Sequence, residues 1–302
     1  MLIGPVPLTE LKPHRNVTGL AIGVFDGVHL GHQAVVKSLH GRIDALTFEP
    51  HPLTVIAPDR VPPRLTTLEQ KVAYMRAQGT VTVVAVKFDA ALRNMSPATF
   101  VDEIARVFPD LKQVAIGEGW TFGRNREGNA ERLAALADAH GFEVNTVAPV
   151  LLDGAPVSST RIREAIAQHK FDVAAKLLGR SYAVTGKVVA GDRRGRTIGF
   201  PTANLTEVEQ LLPPRGVYAV RARVAGNLTK YKAVMNLGRR PTFTSNGSDS
   251  LEVHILDFDA DLYEQKLWVS DMIWLRDEQA FPDADALKAQ IAEDAARARA
   301  IL

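Results

Sequence analysis

Gly23-Val24-Phe25-Asp26-Gly27-Val28-His29-Leu30-Gly31-His32 follows the apolar run Val17–Val24 and leads into the amphipathic stretch Gln33–Leu39. The run reads as a buried strand and the stretch as a helix, so the ten residues between form a strand-to-helix turn. Gly27 and Gly31 let a ligand approach the backbone closely. The first turn of a helix offers unpaired amides and a partial positive charge, which suits a phosphate. His29 and His32, three apart, lie on one side of that turn. Such a pair can donate hydrogen bonds to phosphate oxygens as charge builds up on them, with no covalent intermediate. Paired histidines also occur as plain surface neighbours or as an incomplete zinc site.

Outward from this turn the pattern repeats. Asp44–Phe48, Val81–Lys87, Gln113–Ile116 and Glu143–Val147 read as further strands, with helices at Leu68–Ala77, Pro97–Val107 and Ala130–His140 between them. Alternation of this kind predicts a mainly parallel, Rossmann-like sheet covered by helices, with ligands beyond the carboxyl ends of its strands. Two short helices are expected at Ser159–Ala167 and Asp172–Leu178. After Gly179 the texture changes. Ala183–Val189, Val217–Ala225, Tyr231–Asn236, Leu251–Leu256 and Leu267–Leu275 are short, β-rich and punctuated by Gly, Pro and Asn, as in an antiparallel barrel. In the tail, Ala284–Ala300, Leu287, Ile291 and Ala295 recur every four residues and mark one apolar stripe of a closing helix. The expected domains are residues 1–180 and 181–302.

Composition narrows the function classes. The 302 residues are 46% hydrophobic and 23% charged with a formal net charge of +2, so the chain lacks the global basic field of a non-specific nucleic-acid binder. It has no cysteine, which excludes thiolate metal sites, disulfides and a cysteine nucleophile. No apolar run reaches the about 18 residues of a membrane span, and Lys12, His14 and Arg15 lie in the wrong order for a secretory signal, so none is expected. A cytoplasmic protein with small-molecule partners, no nucleic acid and no membrane is expected. The oligomeric state stays open, a monomer included.

Five further segments carry chemistry. Ser158-Ser159-Thr160-Arg161-Ile162-Arg163 offers capping hydroxyls, phosphate-facing amides and a guanidinium for bidentate phosphate contact at Arg163; it reads equally as a plain N-cap followed by surface arginines. Thr47-Phe48-Glu49-Pro50-His51-Pro52 ends the second strand. Gly117-Glu118-Gly119-Trp120-Thr121-Phe122-Gly123 ends another, and its Trp120 and Phe122 suit either flanking a flat ring or packing on the sheet edge. Gly191–Leu205, G-D-R-R-G-R-T-I-G-F-P-T-A-N-L, is glycine-rich and basic. On extended backbone its Thr202 and Asn204 point the same way, as oxygen ligands for magnesium would. Finally, Leu251, Val253 and Ile255 form one face of a strand, which leaves Glu252 and His254 on the other.

His-x-Gly-His between strand and helix, with Ser-Ser-Thr-x-x-Arg far downstream, resembles the nucleotidyltransferase superfamily. With Pro201–Asn204 added, nearly the whole chain resembles the prokaryotic bifunctional riboflavin kinase/FAD synthetases. That resemblance implies phosphorylation of riboflavin to FMN, then adenylylation of FMN to FAD, with ATP and Mg2+. It implies Glu252 as base of the kinase and Thr202 and Asn204 as its metal ligands. Gly191, Gly195 and Arg196 would bind phosphate there. His29, His32 and Arg163 would serve adenylyl transfer, assisted by Gly23, Phe25, Asp26, Gly31, Ser158, Ser159 and Thr160. Trp120, Phe122, Arg239 and Arg276 would contact or shape flavin pockets. His254 is read as a bystander. Two positions depart from the family pattern: Gly119-Trp120, where Asp or Asn and then Phe are usual, and Glu264, where Gly commonly follows Tyr. The alternatives are a nucleotidyltransferase for another substrate, and a flavin-binding regulatory module with kinase activity only or with none.

Overall fold

In a computed structural model the described residues are 1–190, 199–239 and 249–302. By its internal contacts the chain divides into Met1–Ser159 and Thr160–Leu302.

The first unit is built on six parallel strands, β1 (Leu2–Val6), β2 (Gly19–Ile22), β3 (Ile43–Glu49), β4 (Val83–Lys87), β5 (Gln113–Gly117) and β6 (Glu143–Val147). Their order across the sheet is β1-β4-β3-β2-β5-β6. Both faces are covered, and the strands alternate between two apolar clusters as the period of two requires. Leu20, Ile22, Leu46, Val84, Val114 and Ile116 belong to one cluster. Ala21, Ala45, Val83 and Ala115 belong to the other. The helices follow the same division. α1 (Leu30–Lys37) and α3 (Leu68–Ala77) add Val35, Val36 and Met75 to the second cluster. α5 (Pro97–Val107) and α6 (Ala130–Asp138) add Phe100, Ile104 and Leu133 to the first. Short helices α2 (Leu53–Ile56) and α4 (Ala90–Asn94), together with the hairpin β7 (Leu151–Leu152) and β8 (Ala155–Pro156), complete this unit.

Local sequence sets the helix starts. Thr67 and Gln70 form a reciprocal capping box at α3, and Ser96 caps α5 with Pro97 in its first turn, the arrangements that satisfy otherwise orphaned amides. The topology then fixes where a ligand belongs. From β2 the chain runs to β3 and β4 on one side, and later to β5 and β6 on the other. The order therefore reverses between β2 and β5, and the carboxyl ends of those strands carry residues 23–29 and 118–123. Open sheets bind ligands in that crevice.

The second unit begins with α7 (Ser159–Ala167), all but its first residue, and α8 (Phe171–Leu178), closed by Gly179 in the left-handed region at φ 69°. Six antiparallel strands follow: β9 (Ala183–Val189), β10 (Ala203–Thr206), β11 (Gly216–Val224), β12 (Tyr231–Arg239), β13 (Asp249–Ile255) and β14 (Lys266–Arg276). They close into a barrel in the order β10-β13-β12-β11-β14-β9. The C-terminal helix, Ala284–Ile301, lies on the outside of β11 and β12, where Ala295 and Ala298 pack on Val217, Ala219 and Val234. Asp294 is buried in this helix and forms an ion pair with Arg276 at 2.7 Å. The expected fold class, a Rossmann-like α/β domain and then an antiparallel barrel with a closing helix, is the one observed.

Candidate active sites

At the switch point His29 is the N-cap of α1. Its Nδ1 accepts the backbone N–H of His32 at 3.4 Å. With Nδ1 occupied as an acceptor, a neutral His29 carries its proton on Nε2. The two imidazoles are stacked, with centroids 3.6 Å apart and planes 19° apart. Phe25, fully buried, meets His32 edge-on at 5.3 Å. Three residues of the turn sit at positive φ: Phe25 at 52°, Gly27 at 85° and Val28 at 42°. For Phe and Val this is strained backbone, which persists only where the surroundings hold it and which concentrates at functional sites.

The surroundings do hold it. The Asp26 carboxylate accepts the backbone N–H groups of Leu65 at 2.9 Å and Thr66 at 3.2 Å. Gly27 N–H donates to Thr66 Oγ1, and Ser159 Oγ donates to the Asp26 carbonyl at 2.9 Å. Gly23, Phe25, Asp26, Gly31, His29, His32 and Ser159 are thus gathered in one place. Ser158 precedes the division between the units, while Thr160 and the half-buried Arg163 follow it on α7. At the end of β5, Trp120 stacks on Phe122 with centroids 4.8 Å apart, and both lean on Phe100 of α5. Phe122 is buried and Trp120 half-buried. An added Cβ at Gly119 would meet nothing within 4 Å.

Gly31 has a spatial reason to be glycine, since a Cβ there would come within 3.1 Å of the His29 ring. In a Gly31→Ala chain we expect that ring to shift by a few tenths of an ångström. The reaction that the histidine pair serves should then slow by about tenfold, positioning errors at reacting centres being costly. Steady-state rates beside a thermal melt would check this, the melt moving little.

On the barrel, register supplies the second constellation. Asn204 of β10 lies directly opposite Glu252 of β13, which lies opposite Asn236 of β12. Asn236 is in turn opposite Val217, and Val217 is opposite Arg276. Directly opposed residues share a face. Val217 faces the C-terminal helix, so the whole row lies on the barrel's outer surface. Leu251, Val253 and Ile255 are buried on the other face, as their alternation predicts. Ser250 Oγ donates to Glu252 Oε1 at 3.2 Å. His254 Nδ1 donates to the Pro201 carbonyl at 2.8 Å, tying the Pro-Thr-Ala-Asn segment to the strand that carries Glu252. Thr202 is half-buried just before β10. Arg276 is held by Asp294 and by the Asp277 carbonyl. Gly191, Gly195 and Arg196 lie outside the described residues, as does the side chain of Arg239.

The model of the FAD synthetase family matches residues 11–161, and that of the riboflavin kinase family matches residues 178–302. The bifunctional riboflavin kinase/FMN adenylyltransferase of Pseudomonas fluorescens is 38% identical over 301 residues, covering 97% of this chain and 96% of the relative. The chain belongs to the bifunctional riboflavin kinase/FMN adenylyltransferase family. Its counterpart in Escherichia coli (strain K12) is also 38% identical, over 93% of this chain and 91% of the relative. A crystal structure described as a macrolide-efflux protein from Streptococcus pneumoniae superposes with a TM-score of 0.84 at 28% identity, covering 99% of this chain and 98% of that one. Among the described residues, no helix is long and apolar enough to cross a membrane.

Within this family the departure at Glu264 leaves a turn in place. Glu264 adopts φ 65°, the left-handed conformation that glycine takes more easily, and forms an ion pair with Lys187. Ser250 and the His254–Pro201 bond are contributions that the sequence reading missed. Ser250 was within reach, since it lies two residues before Glu252 on the same face. The partner of His254 is 53 residues away and had no signal.

Proposed function

We propose that the chain catalyses two successive reactions, phosphorylation of riboflavin to FMN by ATP and adenylylation of FMN by a second ATP to FAD and pyrophosphate. The functional halves are assigned as residues 1–180 and 181–302. The observation that carries this reading is the Asn204–Glu252–Asn236 row on the barrel, present in one chain with a stacked histidine pair at the sheet's switch point.

In the kinase half Glu252, oriented by Ser250, takes the proton of riboflavin's primary alcohol. The alcohol oxygen bonds to the γ-phosphorus as the bond to ADP breaks. Gly191, Gly195 and Arg196 are assigned to the ATP phosphates, and Arg239 to the flavin. Arg276 shapes that pocket by fastening the C-terminal helix through Asp294. Thr202 and Asn204 are assigned to magnesium. Their oxygen donors beside a carboxylate suit a hard cation that shares its shell with phosphate. Among the described residues no cluster of His, Asp and Glu forms a metal cage of its own. When bound, the ion neutralises charge on the transferred phosphoryl group.

In the adenylyl half a phosphate oxygen of FMN attacks the α-phosphorus of ATP, and pyrophosphate leaves. His29 and His32 donate hydrogen bonds to the charge that develops there, with Arg163 assigned to the departing pyrophosphate. Gly23, Phe25, Asp26 and Gly31 shape the turn, and Ser158, Ser159 and Thr160 offer hydroxyls and amides to phosphate. Trp120 takes the flavin contact, and the buried Phe122 backs it. The reading takes small molecules as the partners, with neither nucleic acid nor membrane, and a cytoplasmic setting.

Chromatography of the purified chain incubated with riboflavin, ATP and magnesium tests the reading. FMN should appear first and FAD after it. FMN alone would remove the adenylyl assignment. Neither product from folded protein would favour a flavin-binding module.

A further inference from the structure

Lys71 of α3 is buried to 5% exposure beside the carboxyl ends of β2 and β3. Burying a lysine costs far more than burying an aliphatic side chain of similar volume, so its ammonium needs a reason to be there. Its Nζ donates to Thr47 Oγ1 at 3.1 Å. Thr47 is itself fully buried, and its hydroxyl donates onward to the Val24 carbonyl at 2.9 Å. With Lys71 filling the hydroxyl's acceptor side, its single proton is directed at Val24. Burial pulls the Lys71 pKa below its usual value, the carboxylates of Glu49 and Asp26 push it back up, and Arg64 adds a smaller downward push.

Val24 opens the turn whose next residue, Phe25, is strained at φ 52° and touches His32. Leu65 and Thr66, just ahead of α3, hold the turn at Asp26. Helix α3 and its lead-in therefore grip the turn at both ends, at Val24 through Thr47 and at Asp26 directly. We propose that Lys71 is a positioning residue for adenylyl transfer, fixing the turn that places His32 by way of Thr47 and the Val24 carbonyl. The inference rests on the adenylyl-site reading of His29 and His32.

The test uses the full chain carrying K71M, T47V, T47S or K71M with T47V. FMN-to-FAD and riboflavin-to-FMN conversion are measured on the same samples, with thermal melts. K71M and T47V should each lower kcat for FAD formation by about tenfold or more while KM for FMN and ATP stays within about threefold, the signature of misplaced groups rather than lost binding. T47S should recover most of the rate lost in T47V. The double variant should be no slower than the worse single one, because both changes cut the same relay. Riboflavin phosphorylation should be unchanged throughout. An unaltered kcat in K71M, multiplicative losses in the double variant, or equal loss of both activities would overturn the proposal. A wild-type chain that makes FMN but no FAD would overturn the adenylyl-site reading, and this inference with it.

Discussion

In a His32→Ala chain, conversion of FMN to FAD is expected to fall by roughly 100- to 1,000-fold, the usual effect of deleting one preorganised donor at a centre where charge develops. Riboflavin phosphorylation in the same tube should continue at its wild-type rate. The expectation is specific because little else changes. His32 is the third residue of α1, and its backbone N–H, which caps onto His29 Nδ1, survives the substitution. Alanine favours a helix interior. What is lost is one imidazole from a stacked pair at the helix N-terminus, and with it the edge contact to Phe25. His29→Ala would slow the reaction too, but it also deletes the cap, at a cost of about 1 kcal/mol in stability. That makes His32 the cleaner probe. Discontinuous sampling with FMN and ATP supplied, resolving FAD by chromatography, gives the number. A loss of less than about threefold would remove His32 from the reacting centre, since such a change is under 1 kcal/mol.

The residues that made this site legible were those whose local geometry follows from the chain itself. Alternation of apolar runs with amphipathic stretches gave five of the parallel strands, and Gly27 and Gly31 marked the turn between β2 and α1. The helix was expected from Gln33 but starts at Leu30. The reason is its cap. Histidine is not among the residues that ordinarily cap helices, so His29 gave no start signal. β1 went unrecognised because Pro5 interrupts it, and proline is tolerated at the sheet edge where β1 lies. β10 was missed for a related reason, since Thr202–Asn204 has the composition of a turn and only its pairing with β9 and β13 makes it a strand. Lys71 shows the limit most clearly. On sequence it is one more charged residue of an amphipathic helix, and only packing beneath the turn turns it into a buried donor. Tertiary partners far apart in the chain, such as Lys71 with Thr47, leave no periodic trace.

Replacing Glu252 by glutamine should give the complementary result, loss of FMN formation with FAD formation from supplied FMN intact. The substitution keeps the shape and one carbonyl acceptor for Ser250 Oγ, which now reaches Glu252 Oε1 at 3.2 Å. It removes the capacity to take a proton. General-base assistance contributes on the order of 100- to 10,000-fold, so kcat for riboflavin should drop by that factor. KM for riboflavin and ATP should change much less, because an interaction made chiefly in the transition state lowers kcat and kcat/KM together. The position of Glu252 on the barrel's outer face makes a folding explanation weak. Its buried neighbours Leu251 and Val253 point the other way and keep their packing. The comparison with His32→Ala is what gives the pair its force. Two single substitutions, one in each compact unit, should each silence one reaction and spare the other. Mixing the two variant chains with riboflavin, ATP and magnesium should then restore FAD, because FMN released by the His32→Ala chain is a substrate for the Glu252→Gln chain. Absence of FAD from that mixture, with each variant retaining its single activity, would mean that FMN does not pass between chains through solution.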